Sequence, residues 1–574
     1  MSRNVLSITA VVFAVLLGFL TGCSGGNSGN PQASGYSLSV TIQPAYTGAV
    51  TPVSGTSFTA GSTITLATNP APGYTFSHWS GPNAGDIIQA SSALLMNENK
   101  SLIAVFTADT TSGMHLNKIP NTGEVVSLGG VSGHQVYLNS SVMNGLEGTV
   151  TSQTPTVQVS VSATTLSNPL ILPSACSSSP SVRQTSTISA DHHWQIAVDS
   201  AMRAQEQQIA RSGMRSIVRS STRTAITVGT QLTFYIDYST ATNKNRATTC
   251  EKVGTHCYIF VDNDNLSDSF LTATVINEIA AYFDNTAYPI DTSTFGSATD
   301  TDGDPRLYIV CSPLQRNAGS YVAGFFSPID KYTKTQGSQS NAHDMFYLTV
   351  PKSASELADI YGTLAHEFQH MINFDIRRKN NLSPETAWLN EGLSELATFL
   401  CTGGDDAKTE LYLSGHACSL TVWDYNNLNG DVLMNYAGSR LFLIYLYDRF
   451  KLGNGQTQLL QQLENSQLYG IENVAATTGC SFDDLFQDWV TALLLSNSSV
   501  ATDAKYQYQS INLHQNGLTG LQAQSWSVAT PNTRTANLLP YVPRVWTVSG
   551  FTANTGISLS GQNASGLLIT LPSN

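Results

Sequence analysis

The chain has 574 residues, of which 12% are charged, and its formal net charge is −13. Because a typical domain has roughly 100 to 200 residues, this length predicts several folded units with sizeable cores. The acidic balance argues against a nucleic-acid partner and against a basic membrane-binding face.

The beginning of the chain has the composition of an export signal. Arg3 precedes an apolar run from Val5 to Leu20, and small residues lead into Cys23. The run is short for a membrane span, which needs about 20 apolar residues. The segment resembles a bacterial lipoprotein signal. That resemblance implies a signal peptide at 1–22, a lipid on Cys23 and anchoring to the cell envelope, at the outer membrane or the cell surface. An uncleaved anchor helix is the alternative.

The next two segments predict a linker and a small β-rich module. Residues 23–35 are rich in Gly, Ser and Asn, which is typical of a flexible tether. Residues 36–109 alternate like short strands separated by turn residues. The stretch GYTFSHWSG, from Gly73 to Gly81, resembles the internalin-type B-repeat of bacterial surface proteins. The resemblance implies a spacer or adhesive module, and we expect a spacer because no binding residue stands out.

Residues 110–224 form an accessory region, and the sequence leaves open whether this region is a removable prosegment. From Asp191 to Ser212, apolar residues fall at helical spacing after a capping aspartate, which predicts a helix. We interpret His192 and His193 as the solvated start of this helix rather than as a metal site.

The remaining chain predicts a mixed domain followed by a β-like region. Strand-like runs and one helix occupy the first part of 225–500, and the part from about 355 is mainly helical. Residues 501–574 return to β-type alternation. The predicted fold class is therefore multidomain α+β. The strand-like runs are 232–238, 257–261 and 306–311, and the helix is 270–283.

Export makes disulfides plausible for the cysteines beyond Cys23. Cys250 with Cys257, and Cys401 with Cys418, are close enough in sequence to pair. The connectivity does not follow from the sequence, and the odd number of remaining cysteines leaves at least one thiol.

The segment GTLAHEFQHMINF, residues 362–374, carries the clearest chemical signal. The apolar spacing around it predicts a helix at 356–374. In a helix, side chains four residues apart lie on one face, so His366 and His370 can bind one metal ion. Glu367 follows the first histidine, which gives the His-Glu-x-x-His pattern of a zinc peptidase.

The identity of the third metal ligand distinguishes the subclasses of His-Glu-x-x-His zinc peptidases. The metzincin pattern requires Gly and His where this chain has Asn373 and Ile376. Instead, the chain continues to WLNEGLSELA, in which we expect Glu391, 21 positions after His370, to begin a second helix. One turn later on the same face lies Glu395.

The combination of HEFQH with NEGLSE resembles a gluzincin. The resemblance implies one zinc ion held by His366, His370 and Glu391. It also implies that Glu367 is the general base and that Glu395 orients a ligand imidazole. The segments AHEFQHMINF, WLNEGLSELA and FGSATDTDGDPRLYIV are similar to the hyicolysin family of bacterial extracellular metallopeptidases. That resemblance covers about residues 225–500 and implies a secreted zinc endopeptidase.

A zinc peptidase also needs a hydrogen-bond donor for the negative charge that develops on the substrate. Tyr436 is the predicted donor, because aminopeptidase N-like enzymes supply a phenol from a Tyr-x-x-Gly segment that opens a helix. Here Gly438 follows one residue sooner. The alternative donor is His416.

One segment of alternating aspartates could form either a second metal site or a turn. Asp300, Asp302 and Asp304 alternate like a calcium loop, but the bidentate glutamate of an EF-hand is missing. We interpret the segment as a solvated turn, with calcium as the alternative.

The sequence thus predicts a zinc endopeptidase that acts on proteins or peptides and is held at the membrane through Cys23. An exopeptidase on the same scaffold is the first alternative, although the Gly-x-Met-Glu-Asn segment of aminopeptidase N-like enzymes does not precede His366. A non-catalytic adhesive or binding lipoprotein is the second. The oligomeric state is not predicted.

Overall fold

The structure is a computed structural model. Its description begins at residue 35, so the predicted signal peptide, Cys23 and most of the tether lie outside the described residues. The described residues are 35–571 except for 44–46, 72–73, 87–89, 109–113, 120, 122, 124, 129–130, 132–133, 150–155, 167–192, 215–224, 318–319, 404–405, 416–417, 424, 426–430, 451–455, 499, 502, 516–517, 519 and 553.

The N-terminal module is built from strands, as its alternating sequence predicts. Its strands are β1 (Gly35–Gln43), β2 (Gly48–Thr51), β3 (Ser57–Thr59), β4 (Thr63–Pro70), β5 (Tyr74–Ser80), β6 (Ser91–Leu95) and β7 (Lys100–Ala108). They form sheets in the orders β3-β1-β7-β5 and β2-β4-β6. Because side chains alternate between the two faces of a strand, those of Leu38, Leu66, Leu102 and Phe106 point into a small shared core.

The accessory region and the C-terminal region contribute strands to the same sheets. The strands are β8 (His115–Ile119), β9 (Val126–Ser127), β10 (Gln135–Val142), β11 (Gly148–Thr149), β12 (Val157–Thr165), β22 (Gln524–Ser527), β23 (Asn532–Leu538), β24 (Val545–Ser549), β25 (Thr555–Ser560) and β26 (Ala564–Leu571). The sheet orders are β22-β24-β10-β26-β8 and β23-β12-β25-β9. Residues more than 400 positions apart are therefore direct neighbours, as where Gln135 lies opposite Leu571.

Helix α1 (His193–Ser212) confirms the predicted helical period of the accessory region. Residues 191–192 lie outside the described part of the chain. Ile196, Val198, Met202 and Ile209 are buried along this helix. The helix thus packs into the cores of the region after residue 225 instead of standing apart from it.

Between residues 225 and 350, the described residues form a six-stranded mixed sheet and a separate two-stranded sheet at Arg316–Asn317 and Ser320–Tyr321. The strands are β13 (Gln231–Tyr235), β14 (Asn245–Val253), β15 (Cys257–Asp262), β16 (Leu307–Cys311), β17 (Arg316–Asn317), β18 (Ser320–Tyr321), β19 (Gly324–Phe326) and β20 (Met345–Leu348). The sheet order is β13-β14-β15-β16-β20-β19, so within the described residues β19 is the last strand on one side. It runs antiparallel to β20.

Helices cover this sheet and follow it in the chain, which confirms the α+β prediction. They are α2 (Ala273–Tyr282), α3 (Tyr288–Phe295), α4 (Ala354–Lys379), α5 (Ala387–Thr402), α6 (Asp406–Gly415), α7 (Asp431–Arg449), α8 (Gln456–Asn465), α9 (Gly470–Thr478) and α10 (Phe482–Leu495). A short strand, β21 (Val422–Trp423), pairs with β11 of the accessory region. Among the described helices, none combines the length and the apolar character needed to cross a membrane.

The predicted start of the second site helix is wrong. Helix α5 begins at Ala387, and the extended backbone of Thr386 precedes it. The carbonyl of Thr386 accepts the N–H of Asn390 at 2.9 Å, which closes the first turn. Glu391 therefore lies in the second turn, where the helix backbone holds it firmly.

The suggested disulfides are also wrong. Neither pair forms a disulfide, and Cys250, Cys257, Cys401 and Cys418 all carry reduced sulfur. Cys250 and Cys257 pack into the cores on opposite faces of the mixed sheet, so their side chains point away from each other. The thiol of Cys401 instead donates to Oδ1 of the buried Asp291 at 3.8 Å.

Candidate metal centre

Helices α4 and α5 bring the predicted ligands together. The imidazole rings of His366 and His370 lie on one face of α4 with their centroids 4.7 Å apart. Their Nε2 atoms lie 3.4 Å and 3.3 Å from Oε2 of Glu391 on α5. One ligand atom from each of these residues lies within 4.8 Å of the other two. Two imidazoles and a carboxylate distant in sequence thus converge on one point.

Hydrogen bonds set the tautomer of His370. Its Nδ1 lies 2.7 Å from Oδ1 of Asn390 and 2.9 Å from Oγ of Ser394. The Ser394 hydroxyl itself donates to Oε1 of Gln369, so both oxygens near Nδ1 act as acceptors. The ring proton therefore lies on Nδ1, which leaves the lone pair of Nε2 directed at Glu391.

A buried polar network holds Asn390 in place. Its amide donates to Oδ1 of Asn373 at 3.3 Å, and Asn373 donates to Glu464 at 2.5 Å. Gln369 donates to the other oxygen of Glu464 at 2.7 Å. Because α4, α5 and α8 all contribute to this network, the orientation of His370 depends on how three helices pack.

The donor atoms fit a zinc ion. Both carboxylate oxygens of Glu391 are buried, and neither accepts a hydrogen bond from a described residue. A buried carboxylate oxygen without a donor is costly, and a cation beside it removes that cost. Two imidazole nitrogens and one carboxylate oxygen are a donor set found in catalytic zinc sites.

The pKa values of the ligands differ. Burial opposes protonation of His366, but the neighbouring carboxylate of Glu391 and the charge of Glu367 raise its pKa to about 9. Burial and the positive charge of Arg203 lower the pKa of His370 to about 4. Despite burial, the facing imidazoles hold the pKa of Glu391 well below its usual value. Glu391 and His370 are thus in their metal-binding forms at neutral pH, whereas His366 must release a proton.

Glu367 is fixed by the edge of the mixed sheet. Its Oε2 accepts the backbone N–H of Phe326 in β19 at 2.8 Å. Burial raises the pKa of this carboxyl, and the charge of Glu391 adds to the effect. A carboxylate whose proton affinity is increased beside a metal site can take a proton from water near neutral pH.

Tyr436 lies in the second turn of α7, not at the start of the helix as predicted, because α7 already begins at Asp431. Its ring packs 4.7 Å from Trp423, and its hydroxyl donates to Oδ2 of Asp199 at 2.7 Å. Burial, then the charges of Glu391 and Glu367, raise the pKa of Asp199 to about 8. The Tyr436–Asp199 pair is therefore close enough to feel the charges of the candidate metal centre.

The remaining predicted site residues are Glu395 and His416. Oε1 of Glu395 lies 4.0 Å from Nδ1 of His366, which is longer than a hydrogen bond, so its orienting role stays a prediction. His416 lies outside the described residues. Tyr425 was not predicted from the sequence, and its buried hydroxyl has no hydrogen bond to a described residue. Burial and the charge of Glu391 raise its pKa well above the usual value, which places it near the centre.

Residues of helix α1 also lie close to the candidate metal centre. Their place there was not predicted from the sequence. Nε of Arg203 lies 3.6 Å from Oε1 of Glu391, and Nη1 of Arg203 lies 3.0 Å from Glu206. The available signal is the helical spacing of polar residues within an otherwise apolar pattern, at Gln195, Asp199 and Arg203. That spacing alone does not say what the polar face contacts.

The segment predicted as a solvated turn, with calcium as the alternative, is only partly solvated, because Asp302 is 2% exposed. Asp300 and Asp302 group with Asp344 as potential ligands, whereas Asp304 accepts hydrogen bonds from Tyr258 and Tyr308. Asp344 is already paired with the buried ammonium of Lys331 at 2.5 Å. The cluster is thus held largely by internal contacts.

Comparison with known proteins gives two matches. Residues 38–110 match the family model described as a divergent InlB B-repeat domain. The chain is also 30% identical over 199 residues to the neutral metalloprotease ShpI of Staphylococcus hyicus. This match covers 32% of the chain and 44% of the relative, so the chain matches less than half of that protein. The similarity is distant and partial, and it supports a metallopeptidase relationship for the matched region.

Proposed function

We propose that the protein is a zinc-dependent peptidase. The convergence of His366, His370 and Glu391 within 4.8 Å, with Glu367 beside them, carries this proposal. The partial similarity to a neutral metalloprotease supports it. A helix that needed two histidines only for packing would not direct them at a buried carboxylate from another helix.

Each residue has a task in peptide hydrolysis. When bound by His366, His370 and Glu391, zinc acidifies water and polarises a carbonyl group. Glu367 takes the proton from the attacking water and passes it to the leaving nitrogen, while the N–H of Phe326 holds its other oxygen. Tyr436 donates a hydrogen bond to the carbonyl oxygen as negative charge develops there.

The sheet edge favours cleavage within a chain. A peptide that adds to β19 as a further strand can extend in both directions past Glu367, because β19 ends the sheet order among the described strands. We therefore infer an endopeptidase.

The rest of the chain suggests where the enzyme works. We propose export and a lipid anchor on Cys23, with the B-repeat-like module as a spacer between the membrane and the catalytic region. Labelling intact cells with radioactive palmitate, with Cys23→Ala as the control, tests the anchor. Label that persists in the variant would contradict it.

One substitution tests the catalytic proposal. Glu367→Gln keeps the size and one acceptor of the side chain but cannot act as a base. We expect it to abolish cleavage of casein while the zinc content stays at one ion per chain, as measured by atomic absorption. Glu391→Gln should lose both activity and zinc. Casein cleavage that survives Glu367→Gln or thorough chelation would refute the mechanism.

The endopeptidase proposal needs its own assay. Peptides of one sequence with free and with acetylated N-termini should be cut at the same internal bonds and at similar rates. Release of single residues from the free peptide alone would instead identify an aminopeptidase.

A further inference from the structure

Helix α1 lies against the candidate active site, whose groups are largely buried. The side chain of His366 is 13% exposed and that of Glu391 is fully buried. Glu367, Tyr436 and Asp199 are 3%, 5% and 7% exposed. A polypeptide substrate must bring a peptide bond up to Glu367 and Tyr436, and such burial restricts its access to them.

The first contact of α1 is with the sheet edge that a substrate would need. Oε1 of Gln195 accepts the N–H of Ala323 at 2.9 Å, and Nε2 of Gln195 donates to the carbonyl of Gly324 at 3.0 Å. The side-chain amide thus satisfies one backbone donor and one backbone acceptor where β19 begins. A substrate cannot pair at this point of the edge while Gln195 occupies it.

The second contact is with the predicted donor for the transition state. The Tyr436 hydroxyl donates a hydrogen bond to Asp199. While it does so, it cannot donate a hydrogen bond to a substrate carbonyl. Asp199 follows Gln195 by one helical turn, and the Gln195 amide also donates to Asp199 at 2.8 Å. The two residues therefore act from the same face of α1.

The third contact is with a metal ligand. Arg203, one turn beyond Asp199, lies 3.6 Å from Glu391. From Gln195 to Arg203 the helix rises about 12 Å, which is enough to span from the sheet edge across the catalytic groups. Beyond this face, Oε1 of Gln205 accepts the N–H of Ile329 at 3.0 Å, which fixes α1 to the segment after β19.

From these contacts we propose that α1 is an autoinhibitory helix, which occupies the substrate groove and must leave it before a polypeptide can bind. Gln195 takes the place of substrate backbone on β19, and Asp199 withholds the Tyr436 hydroxyl. The inference rests on the proposed peptidase function and adds its regulation. The alternative is that α1 is a permanent part of the working site, in which Asp199 assists catalysis.

The two readings predict opposite effects of loosening the helix. In the full chain, Gln195→Ala with Asp199→Ala removes the contacts to β19 and Tyr436 but leaves the zinc ligands intact. We expect casein cleavage to rise on the order of 10- to 100-fold, since two hydrogen bonds between Gln195 and the sheet edge and one between Tyr436 and Asp199 are lost. Gln195→Ala alone should give a smaller rise. Gln208→Ala, on the exposed face of the same helix, is the matched control and should change nothing.

A binding measurement separates failure of this inference from failure of the proposed function. In a Glu367→Gln background, a fluorescein-labelled casein peptide should bind 10- to 100-fold more tightly to the loosened variant than to the parent, as measured by fluorescence anisotropy. Amide hydrogen exchange in α1 should accelerate in the loosened variant only.

Three results decide the matter. Lower activity in the double variant with unchanged peptide affinity would overturn the inference and assign Asp199 to catalysis. Equal activity and equal affinity in all variants would overturn it as well. Tighter peptide binding without cleavage by any zinc-loaded variant would support the occluding helix while rejecting the peptidase function.

Discussion

At the scale of single residues, the orientation of His370 is set by an amide and not by a carboxylate. Asn390 precedes the predicted ligand Glu391 in the chain, so one turn of α5 supplies both a ligand and the group that aligns another ligand. The backbone of α5 therefore couples the two positions. A small rotation of this helix would disturb both.

We predict that Asn390→Ala weakens zinc binding. Without the acceptor at Nδ1, His370 loses its fixed tautomer and ring orientation, and such losses typically cost about 10- to 100-fold in metal affinity. Competition with a chromophoric chelator measures this affinity. Asn277→Ala, on the exposed face of α2, is the control and should bind zinc like the parent. Unchanged affinity in Asn390→Ala would mean that Ser394 alone orients the ring.

We predict that Tyr436→Phe impairs the chemical step without removing the metal. The ring keeps its packing on Trp423 but loses the hydroxyl, and loss of a comparable donor costs about 100- to 1000-fold in kcat. Steady-state kinetics in the Gln195→Ala, Asp199→Ala background measure the effect without inhibition by α1. Tyr469→Phe, at a largely exposed position, is the control. A kcat close to that of the parent would direct attention to Tyr425.

The site could be predicted from the sequence only where the chemistry has a fixed spacing. His366, Glu367 and His370 are neighbours on one helix turn, and Glu391 follows in a characteristic segment. Asp199 and Arg203 could not be found in this way, because they lie well over a hundred residues before the histidines and belong to an ordinary amphipathic helix. Their position follows from how α1 packs, which is a long-range property.

At the scale of secondary-structure elements, β19 connects the mixed sheet to the predicted general base, Glu367. It pairs with β20 on one side, contacts α4 beneath and gives its Phe326 N–H to Glu367. Because Gly324 has no side chain, β19 can lie this close to β20 and to helix α4. A Cβ atom at this position would lie 2.6 Å from the carbonyl oxygen of Tyr347 and 2.6 Å from Cγ2 of Thr363.

We therefore predict that Gly324→Ala both destabilises the fold and lowers activity. The added methyl group clashes with backbone, which cannot move as a flexible side chain can, and overpacking of this kind costs about 1–3 kcal/mol. Urea unfolding gives the change in the free energy of unfolding, and casein cleavage gives the change in activity. Gly85→Ala adds a methyl group into open space and should change neither. A stable, fully active Gly324→Ala would show that β19 can shift without loss.

Element boundaries were less predictable than element types. The helix predicted at 270–283 occurs as α2, but a π-helical turn at Phe283–Ala287 carries the chain directly into α3. That continuation is not visible in the apolar spacing. It depends on tertiary contacts such as the stacking of Tyr288 on Phe368 of α4.

At the scale of the whole molecule, the accessory region is bound to helices α5 and α9. Oε1 of Glu147, just before β11, accepts hydrogen bonds from the indole of Trp388 in α5 at 2.5 Å and from the N–H of Ile471 in α9 at 2.8 Å. Strand pairs such as β12 with β23 join residues hundreds of positions apart. Hydrophobic periodicity predicts each strand but carries no information on such partners.

The contact of Glu147 makes stability depend on pH in a direction that can be tested. Burial raises the pKa of this carboxyl to about 7, against the opposing effect of the hydrogen bond from Trp388. The folded state therefore holds the proton more tightly than the unfolded state, whose carboxyl has a pKa of about 4.3. The contribution of Glu147 to stability is present in full below the unfolded pKa and declines as the pH rises through the folded pKa.

Glu147→Gln should remove this dependence, because the amide keeps an acceptor oxygen but does not ionise. Between about pH 5 and pH 8, the free energy of unfolding of the variant should improve relative to that of the parent, by at most about 3 kcal/mol. Urea unfolding at both pH values measures the difference, in which the titration of all other groups largely cancels. Glu278→Gln, at an exposed position of α2, should show no such change. If the difference between parent and Glu147→Gln is the same at both pH values, the carboxyl is ionised throughout and the contact tolerates its charge.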